Sequence, residues 1–143
     1  MPWLERTELL IGSENVEKLQ NANVLVVGVG GVGAYAAEMI ARAGVGKMTL
    51  ADADIVSESN INRQLIALHS TVGREKCAVL AERLRDINPA LELTCVPRFI
   101  DESSVDSLLD SAEFDYAVDA IDTLSPKIAL IKGTLDRGIP LVS

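Results

Sequence analysis

The sequence has no apolar run approaching the roughly 20 residues that a membrane-spanning helix requires. Residues Met1 to Leu4 lead directly into charged Glu5 and Arg6, so no apolar leader with a cleavage site is visible. Internal repeats and low-complexity tracts are also absent. These absences argue against a membrane protein, and we expect a single domain located in the cytoplasm.

Cysteine and histidine are scarce. The two cysteines, Cys77 and Cys95, are too few and too far apart in sequence for a disulfide framework or a zinc site. Cys77 falls on an apolar helical stripe and Cys95 on the inner side of a predicted strand, so we expect both in the core. The only histidine, His69, has no visible partner, and we expect a structural role for it.

Basic residues are outnumbered, because 13 Lys and Arg against 21 Asp and Glu give a net charge of −8. This balance argues against broad, sequence-independent contact with nucleic acid, which requires a basic surface. A polyanionic ligand would therefore be held by a few placed cations against an unfavourable overall field.

What the sequence does contain is a regular alternation of apolar strands and helical segments. This alternation predicts an α/β fold, a Rossmann-like doubly wound parallel sheet with right-handed crossovers. We expect an N-terminal helical arm, residues 1–22, and a nucleotide-binding domain, residues 23–143. Because the chain ends on an apolar strand with no closing helix, we also expect it to be the first half of a longer protein. The predicted strands cover residues 24–27, 48–51, 91–96, 116–118 and 139–143.

The first strand runs into a glycine-rich turn, GVGGVG at residues 28–33, which fits the G-x-G-x-x-G pattern between a strand and a helix. Here Gly28 permits a tight turn, Gly30 lets the backbone approach a phosphate, and Gly33 lets helix and strand pack closely. The start of the following helix offers free N–H groups to an anion. Asp52, at the end of the second strand, is placed to accept hydrogen bonds from a ribose. These features fit NAD and ATP equally well.

The segment that follows Asp52 separates the two ligands. Asn60 and Arg63 lie in a long loop, and Lys76 lies in the first turn of the next predicted helix. Loops that follow the carboxyl ends of strands line the ligand crevice of such a sheet. Two cations there suit a triphosphate, whereas the pyrophosphate of NAD needs no supplement to the helix terminus. We therefore predict ATP.

Two aspartates lie three residues apart at the end of the fourth predicted strand. Asp119 and Asp122 are expected at the same crevice, where one of them would hold Mg²⁺ against the phosphates. Mg²⁺ is commonly bound through one or two carboxylates together with substrate phosphates. The sequence alone does not choose between the two residues.

Five segments carry a family resemblance. In order along the chain, GVGGVG, DADIVSESNINRQ, VGREK, INP and DAID resemble the ubiquitin-activating-enzyme-like adenylating family, the MoeB/ThiF/HesA superfamily. The similarity covers about Arg6 to Ser143. Within the family, the segments NRQLIAL, AERLRDINP and DAIDTLSPKIALI are most similar to members that dehydrate threonylcarbamoyladenosine in tRNA. Sulfur-carrier activators usually read CTDN where this chain has AIDT.

The resemblance implies an ATP site and assigns its residues. Arg63 and Lys76 would be the catalytic cations, and Asp122 would be the catalytic Mg²⁺ ligand. Arg6, in the arm, would reach the ATP site of the partner subunit in a homodimer. The implied ATP-binding residues are Gly28, Gly30, Gly31, Gly33, Asp52, Asn60, Arg63, Lys76 and Arg6.

The implied reaction is adenylation of a carboxylate, in which the protein mainly orients the reactants and neutralises charge. The implied cofactors are ATP and Mg²⁺, and the implied partner is tRNA, whose basic binding surface we expect outside this acidic chain. An alternative substrate is the C-terminal glycine of a ubiquitin-like sulfur carrier. Two other classes stay open: an NAD-dependent oxidoreductase, which leaves Arg63 and Lys76 without a role, and a non-catalytic nucleotide-binding or dimerisation module. The catalytic cysteines and CxxC pairs found in some family members match neither Cys77 nor Cys95.

Overall fold

The computed structural model describes residues 1–143 and contains five strands and six α-helices. The strands are β1 (Asn23–Val27), β2 (Lys47–Ala51), β3 (Glu92–Val96), β4 (Tyr116–Asp119) and β5 (Leu141–Val142). The helices are α1 (Glu5–Ile11), α2 (Ser13–Asn21), α3 (Gly33–Arg42), α4 (Lys76–Ile87), α5 (Val105–Leu109) and α6 (Leu124–Asp136). No helix combines the length and apolarity needed to cross a bilayer.

The strands form one sheet in the order β3-β2-β1-β4-β5, and each neighbouring pair is parallel. The order reverses beside β1, which pairs with β2 on one side and β4 on the other. A reversal of this kind opens a crevice at the carboxyl ends of the strands, where ligands bind in open α/β sheets. The predicted Rossmann-like fold is confirmed.

Two apolar layers cover the sheet, one on each face. Alternate residues of β1 point to opposite faces, so Val24 and Val26 join the layer under α3 and α4. Leu25 and Val27 join the smaller layer under α5 and α6. Because β1 is buried on both faces, its sequence is a continuous apolar run rather than an alternating one.

The N-terminal arm packs against the turn between α3 and β2. The backbone carbonyl of Leu19 accepts a hydrogen bond from the Gly46 N–H at 3.2 Å, and that of Ala22 accepts one from Lys47 at 3.0 Å. A Cβ on Gly46 would lie 1.8 Å from the Gln20 carbonyl oxygen, so only glycine permits this approach. The arm is thus held by backbone contacts as well as by the buried Leu4 side chain.

Glu38 joins α3 to α4. Its carboxylate is 6% exposed and accepts hydrogen bonds from Arg83 Nε at 2.6 Å and Arg42 Nε at 3.0 Å. The hydrogen bond from Arg83 is the main reason that the pKa of Glu38 is lowered, and burial opposes that shift. The folded state therefore favours the ionised carboxylate.

Glu38→Gln should lower the free energy of unfolding by about 2 kcal/mol at pH 7, because two charge-assisted hydrogen bonds are weakened. A carboxyl with a lowered folded pKa contributes stability above its ordinary pKa of 4.5 and loses it as the pH falls through the folded value. The difference in the free energy of unfolding between Glu38→Gln and wild type should therefore become smaller below about pH 4.5. Urea unfolding at several pH values measures this difference.

The matched control is Glu82→Gln on the same helix pair. Glu82 forms an ion pair with Arg74, but both side chains are largely exposed. Such pairs contribute about 0–1 kcal/mol. Equal losses in the two variants would contradict a special role for Glu38.

Candidate functional site

A cavity of about 610 Å³ opens at the carboxyl ends of β1, β2 and β4. Its walls come from the glycine turn after β1, the segment 51–54 that ends β2, the loop after β3 and the segment 120–123 after β4. The long connection between β2 and α4 and the start of α4 complete the lining, so the cavity is a product of the sheet topology rather than of any one motif.

The glycine turn divides into packing positions and cavity positions. Gly28 has φ +90°, and a Cβ there would lie 2.6 Å from the Ala120 carbonyl oxygen. A Cβ on Gly33 would lie 1.6 Å from the Gly28 carbonyl oxygen, so Gly33 allows α3 to begin against the turn. Gly30 and Gly31 line the cavity, where added Cβ atoms would make only ordinary contacts.

Asp52 holds the turn in place. One of its carboxylate oxygens accepts the Val29 N–H at 2.9 Å, and the other accepts the Asp54 N–H at 2.7 Å. A carboxylate has about four lone-pair positions, so it keeps capacity for a ligand hydroxyl. Asp52 is therefore both a backbone anchor and a cavity-lining acceptor.

Arg63 reaches the cavity from the middle of the long connection between β2 and α4, and Lys76 reaches it from the first residue of α4. Lys76 is only 5% exposed, and its Nζ lies 3.4 Å from Asp54 Oδ2. Arg63 is exposed, and its guanidinium donates to the Ser59 carbonyl at 2.9 Å and to Asn62 Oδ1 at 2.8 Å. The structure thus brings the two predicted cations to the same cavity as Gly30 and Gly31.

Asn60 also lines the cavity, but it has a structural task as well. Its Oδ1 accepts the Ser57 N–H at 2.9 Å in a capping box that starts a short 3₁₀ turn, Glu58–Asn60. That turn sets the direction of the loop that carries Arg63. The amide nitrogen of Asn60 is the group left for a ligand.

The two carboxylates after β4 have different surroundings. Asp122 is exposed and lines the cavity, and its only hydrogen bond within the chain comes from the Thr123 hydroxyl at 3.4 Å. The Asp119 carboxylate is buried and is engaged by Lys127, the Ser143 hydroxyl and the Ile121 N–H. The expectation that Asp119 faces the crevice is wrong, because its partners turn it toward α6 and β5.

Two other predicted site residues do not line the cavity. Gly33 is buried in the contact between the turn and α3. Arg6 is exposed on α1 and forms no ion pair within the chain. A role for Arg6 at a nucleotide site therefore requires a second copy of the chain.

The cavity residues that were not predicted include Gln64, Arg98 and Phe99. Gln64 is 8% exposed and sits beside Gly30, and its Oε1 is buried without a hydrogen-bond partner. Arg98 and Phe99 are exposed at the rim and follow β3. The rule that loops after strand carboxyl ends line the crevice would have found them, since both lie directly after the third predicted strand.

Comparison with known proteins adds a family match. Residues 4–143 match the ThiF family. The chain is 48% identical over 138 residues to the tRNA threonylcarbamoyladenosine dehydratase of Bacillus subtilis, covering 96% of this chain and 54% of that protein. It is 38% identical over 127 residues to the molybdopterin-synthase adenylyltransferase of Escherichia coli, covering 89% and 50% respectively. The chain thus spans about half the length of these relatives.

A solved structure of a relative has the same fold as this chain. The Escherichia coli tRNA N6-threonylcarbamoyladenosine dehydratase, in complex with ATP, superposes with a TM-score of 0.95 at 41% identity. The match covers 98% of this chain and 57% of that one. The fold of the half that corresponds to this chain is therefore closely shared.

Two glycine substitutions should separate packing from cavity positions. Gly33→Ala should destabilise the fold by about 3 kcal/mol or more, because its Cβ would overlap the Gly28 carbonyl. Gly30→Ala should cost about 1 kcal/mol or less, because its Cβ would meet only the Gln64 amide at 3.5 Å. Urea unfolding measures both; a large loss in Gly30→Ala would show that the turn is packed differently.

Proposed function

Because the chain belongs to the ThiF family, we propose that its cavity binds ATP and that the protein transfers the adenylyl group to a substrate carboxylate. The observation that carries this proposal is the convergence of Arg63 and Lys76 on a glycine turn at the start of a helix. The similar dehydratase structure in complex with ATP supports it.

The charges around the cavity fit a triphosphate better than a dinucleotide. The N-terminus of α3 offers free N–H groups and about half a positive charge. Lys76 adds a buried ammonium and Arg63 a guanidinium whose position is fixed by two hydrogen bonds. The pyrophosphate of NAD carries less charge and is commonly met by the helix terminus, so an NAD-dependent oxidoreductase would give these two cations no clear role. Because the chain has a net charge of −8, the placement of two cations at one cavity indicates a site for an anion.

Asp122 fits a magnesium ion. Its carboxylate lines the cavity, forms no ion pair within the chain, and has free oxygen lone pairs, whereas the Asp119 carboxylate is buried and paired with Lys127. No group of three or more His, Cys, Asp or Glu side chains is placed to hold a metal, so phosphate oxygens and water would complete the coordination. Bound Mg²⁺ would neutralise charge on the phosphates. Asp122 would hold and orient the ion.

The proposed chemistry gives a carboxylate a leaving group. An oxygen of the substrate carboxylate attacks the α-phosphorus of ATP, the bond to the bridging oxygen breaks, and pyrophosphate departs. The acyl-adenylate then reacts with a nucleophile and releases AMP. Arg63 and Lys76 would stabilise the charge that accumulates on the phosphates. The glycine turn would fix the position of the phosphates.

We propose that the carboxylate belongs to threonylcarbamoyladenosine in tRNA, where activation would allow cyclisation with net loss of water. Similarity to the tRNA threonylcarbamoyladenosine dehydratases supports this substrate. Similarity to molybdopterin-synthase adenylyltransferase favours a second candidate, the C-terminal glycine of a ubiquitin-like carrier. The two candidates are distinguished by which carboxylate supports adenylation.

Lys76→Met and Arg63→Ala should each slow substrate-dependent ATP–pyrophosphate exchange by about a hundredfold, the usual cost of losing one transition-state donor. Methionine fills the buried site of Lys76 without leaving a buried charge, because Asp54 is largely exposed. Lys132→Met, an exposed lysine on α6, is the matched control and should retain activity. Unchanged exchange in both site variants, or tighter binding of NADH than of ATP, would overturn the ATP assignment.

We further propose a homodimer, located in the cytoplasm, in which Arg6 of one protomer completes the ATP site of the other. Arg6 is exposed, unpaired within its own chain and absent from its own cavity. The arm that carries it is firmly docked through Leu19, Ala22 and Leu4, so Arg6 would be presented at a fixed position.

Mixing two inactive variants tests this arrangement. Arg6→Ala and Lys76→Met should each be inactive alone, but in a one-to-one mixture with free subunit exchange half of the dimers carry both chains. Each mixed dimer has one site with both residues intact, so about a quarter of wild-type activity should return. If Arg6 acts within its own chain, no activity should return.

A further inference from the structure

The fold brings Cys77 and Cys95 together, although 17 residues separate them in sequence. Cys77 lies in the first turn of α4, and its Sγ is 3.7 Å from the Leu50 carbonyl oxygen and 3.4 Å from that of Asp52. Cys95 lies on β3 opposite Leu50 in the strand register, and its Sγ is 3.5 Å from the Cys77 carbonyl oxygen. The two side chains are neighbours, and each shifts the pKa of the other.

The two thiols differ in access to solvent. Cys77 is completely buried under the sheet. Cys95 is half-buried on β3, which is the edge strand of the sheet. An oxidant in solution therefore reaches Cys95 first and finds Cys77 directly behind it. Cysteines that undergo reversible oxidation are commonly accessible to solvent. They often lie next to a second, resolving cysteine, which converts the sulfenic acid to a disulfide.

We propose that Cys95 and Cys77 form a thiol-oxidation site in which hydrogen peroxide oxidises Cys95 and Cys77 resolves it to a reversible disulfide. None of the residues assigned to ATP or to the substrate takes part, so the site stands independently of the proposed adenylation. It adjoins the cavity, because Cys77 follows Lys76 and contacts the carbonyl of Asp52.

The electrons balance with peroxide as the only oxidant. The Cys95 thiolate attacks one peroxide oxygen, the O–O bond breaks, and hydroxide leaves and takes up a proton to give water. The Cys77 sulfur then attacks the sulfur of the Cys95 sulfenic acid, the S–O bond breaks, and a second water leaves with the Cys77 proton. Two thiols lose two electrons, and peroxide gains them.

The charges around Cys95 favour the first step. The interaction with the Cys77 side chain is the main reason that the pKa of Cys95 is lowered to about 7, and the Arg85 guanidinium of α4 also lowers it. Burial and Glu75 act in the opposite direction. The interaction with the Cys95 side chain, followed by burial, raises the pKa of Cys77, so the thiolate forms on Cys95.

Peptide mapping of the intact chain tests the site. After hydrogen peroxide at pH 7 and alkylation of the remaining thiols, non-reducing digestion should yield a Cys77–Cys95 cross-linked peptide about 2 Da lighter than the two reduced peptides. Dithiothreitol should remove the cross-link. Cys95→Ser should abolish it, whereas Cys77→Ala should leave a sulfenic acid on Cys95 that dimedone traps. Absence of the cross-link in the wild-type chain, or of the dimedone adduct in Cys77→Ala, would overturn the proposal.

The pH dependence of alkylation gives a second readout. In the reduced wild-type chain, iodoacetamide should label Cys95 with a half-maximal rate near pH 7. In Cys77→Ala the midpoint should move toward the ordinary thiol value of about 8.5, because the interaction with the Cys77 side chain is lost. Circular dichroism confirms that both variants are folded before labelling. A midpoint that is unchanged by Cys77→Ala would also overturn the proposal.

Discussion

The approach of α3 to the turn after β1 is the contact on which the site depends. Gly33 lies so close to the Gly28 carbonyl that no side chain fits between them. This closeness lets α3 begin directly after the turn whose Gly30 and Gly31 line the crevice. Asp52 then holds the turn from the neighbouring strand through the Val29 N–H. The start of α3 is thus fixed by backbone geometry before any cationic side chain contributes.

The cations add to that fixed point in different ways. Lys76 is buried and stands at the start of α4, where Asp54 is its neighbour in the cavity wall. Arg63 is exposed, and the loop that carries it is shaped by the Asn60 capping box. Both positions follow from how one long connection leaves β2 and returns as α4. A triphosphate would therefore be met by one buried and one exposed cation, both held by neighbouring groups of the chain.

The ion pairs and thiols outside the cavity show how α4 is secured. Glu38 ties its middle to α3 through Arg83, while Cys77 contacts carbonyl groups at the end of β2. Because α4 begins at Lys76, these contacts also fix the buried ammonium of the proposed site. The same helix, α4, thus packs the layer under α3 and positions Lys76 at the cavity.

The sequence by itself determined the strand–helix alternation, the glycine turn and the cations that follow it, because these depend on local periodicity and on spacing within one connection. Its prediction of the fold class is confirmed, and the family resemblance is confirmed by the match over residues 4–143. Only the tertiary structure buried Asp119 against Lys127 while leaving Asp122 at the cavity, brought Gln64 and Arg98 to the cavity, and placed Cys95 against Cys77. The physical reason is that a side chain's role depends on its partners, and here those partners come from elements distant in sequence.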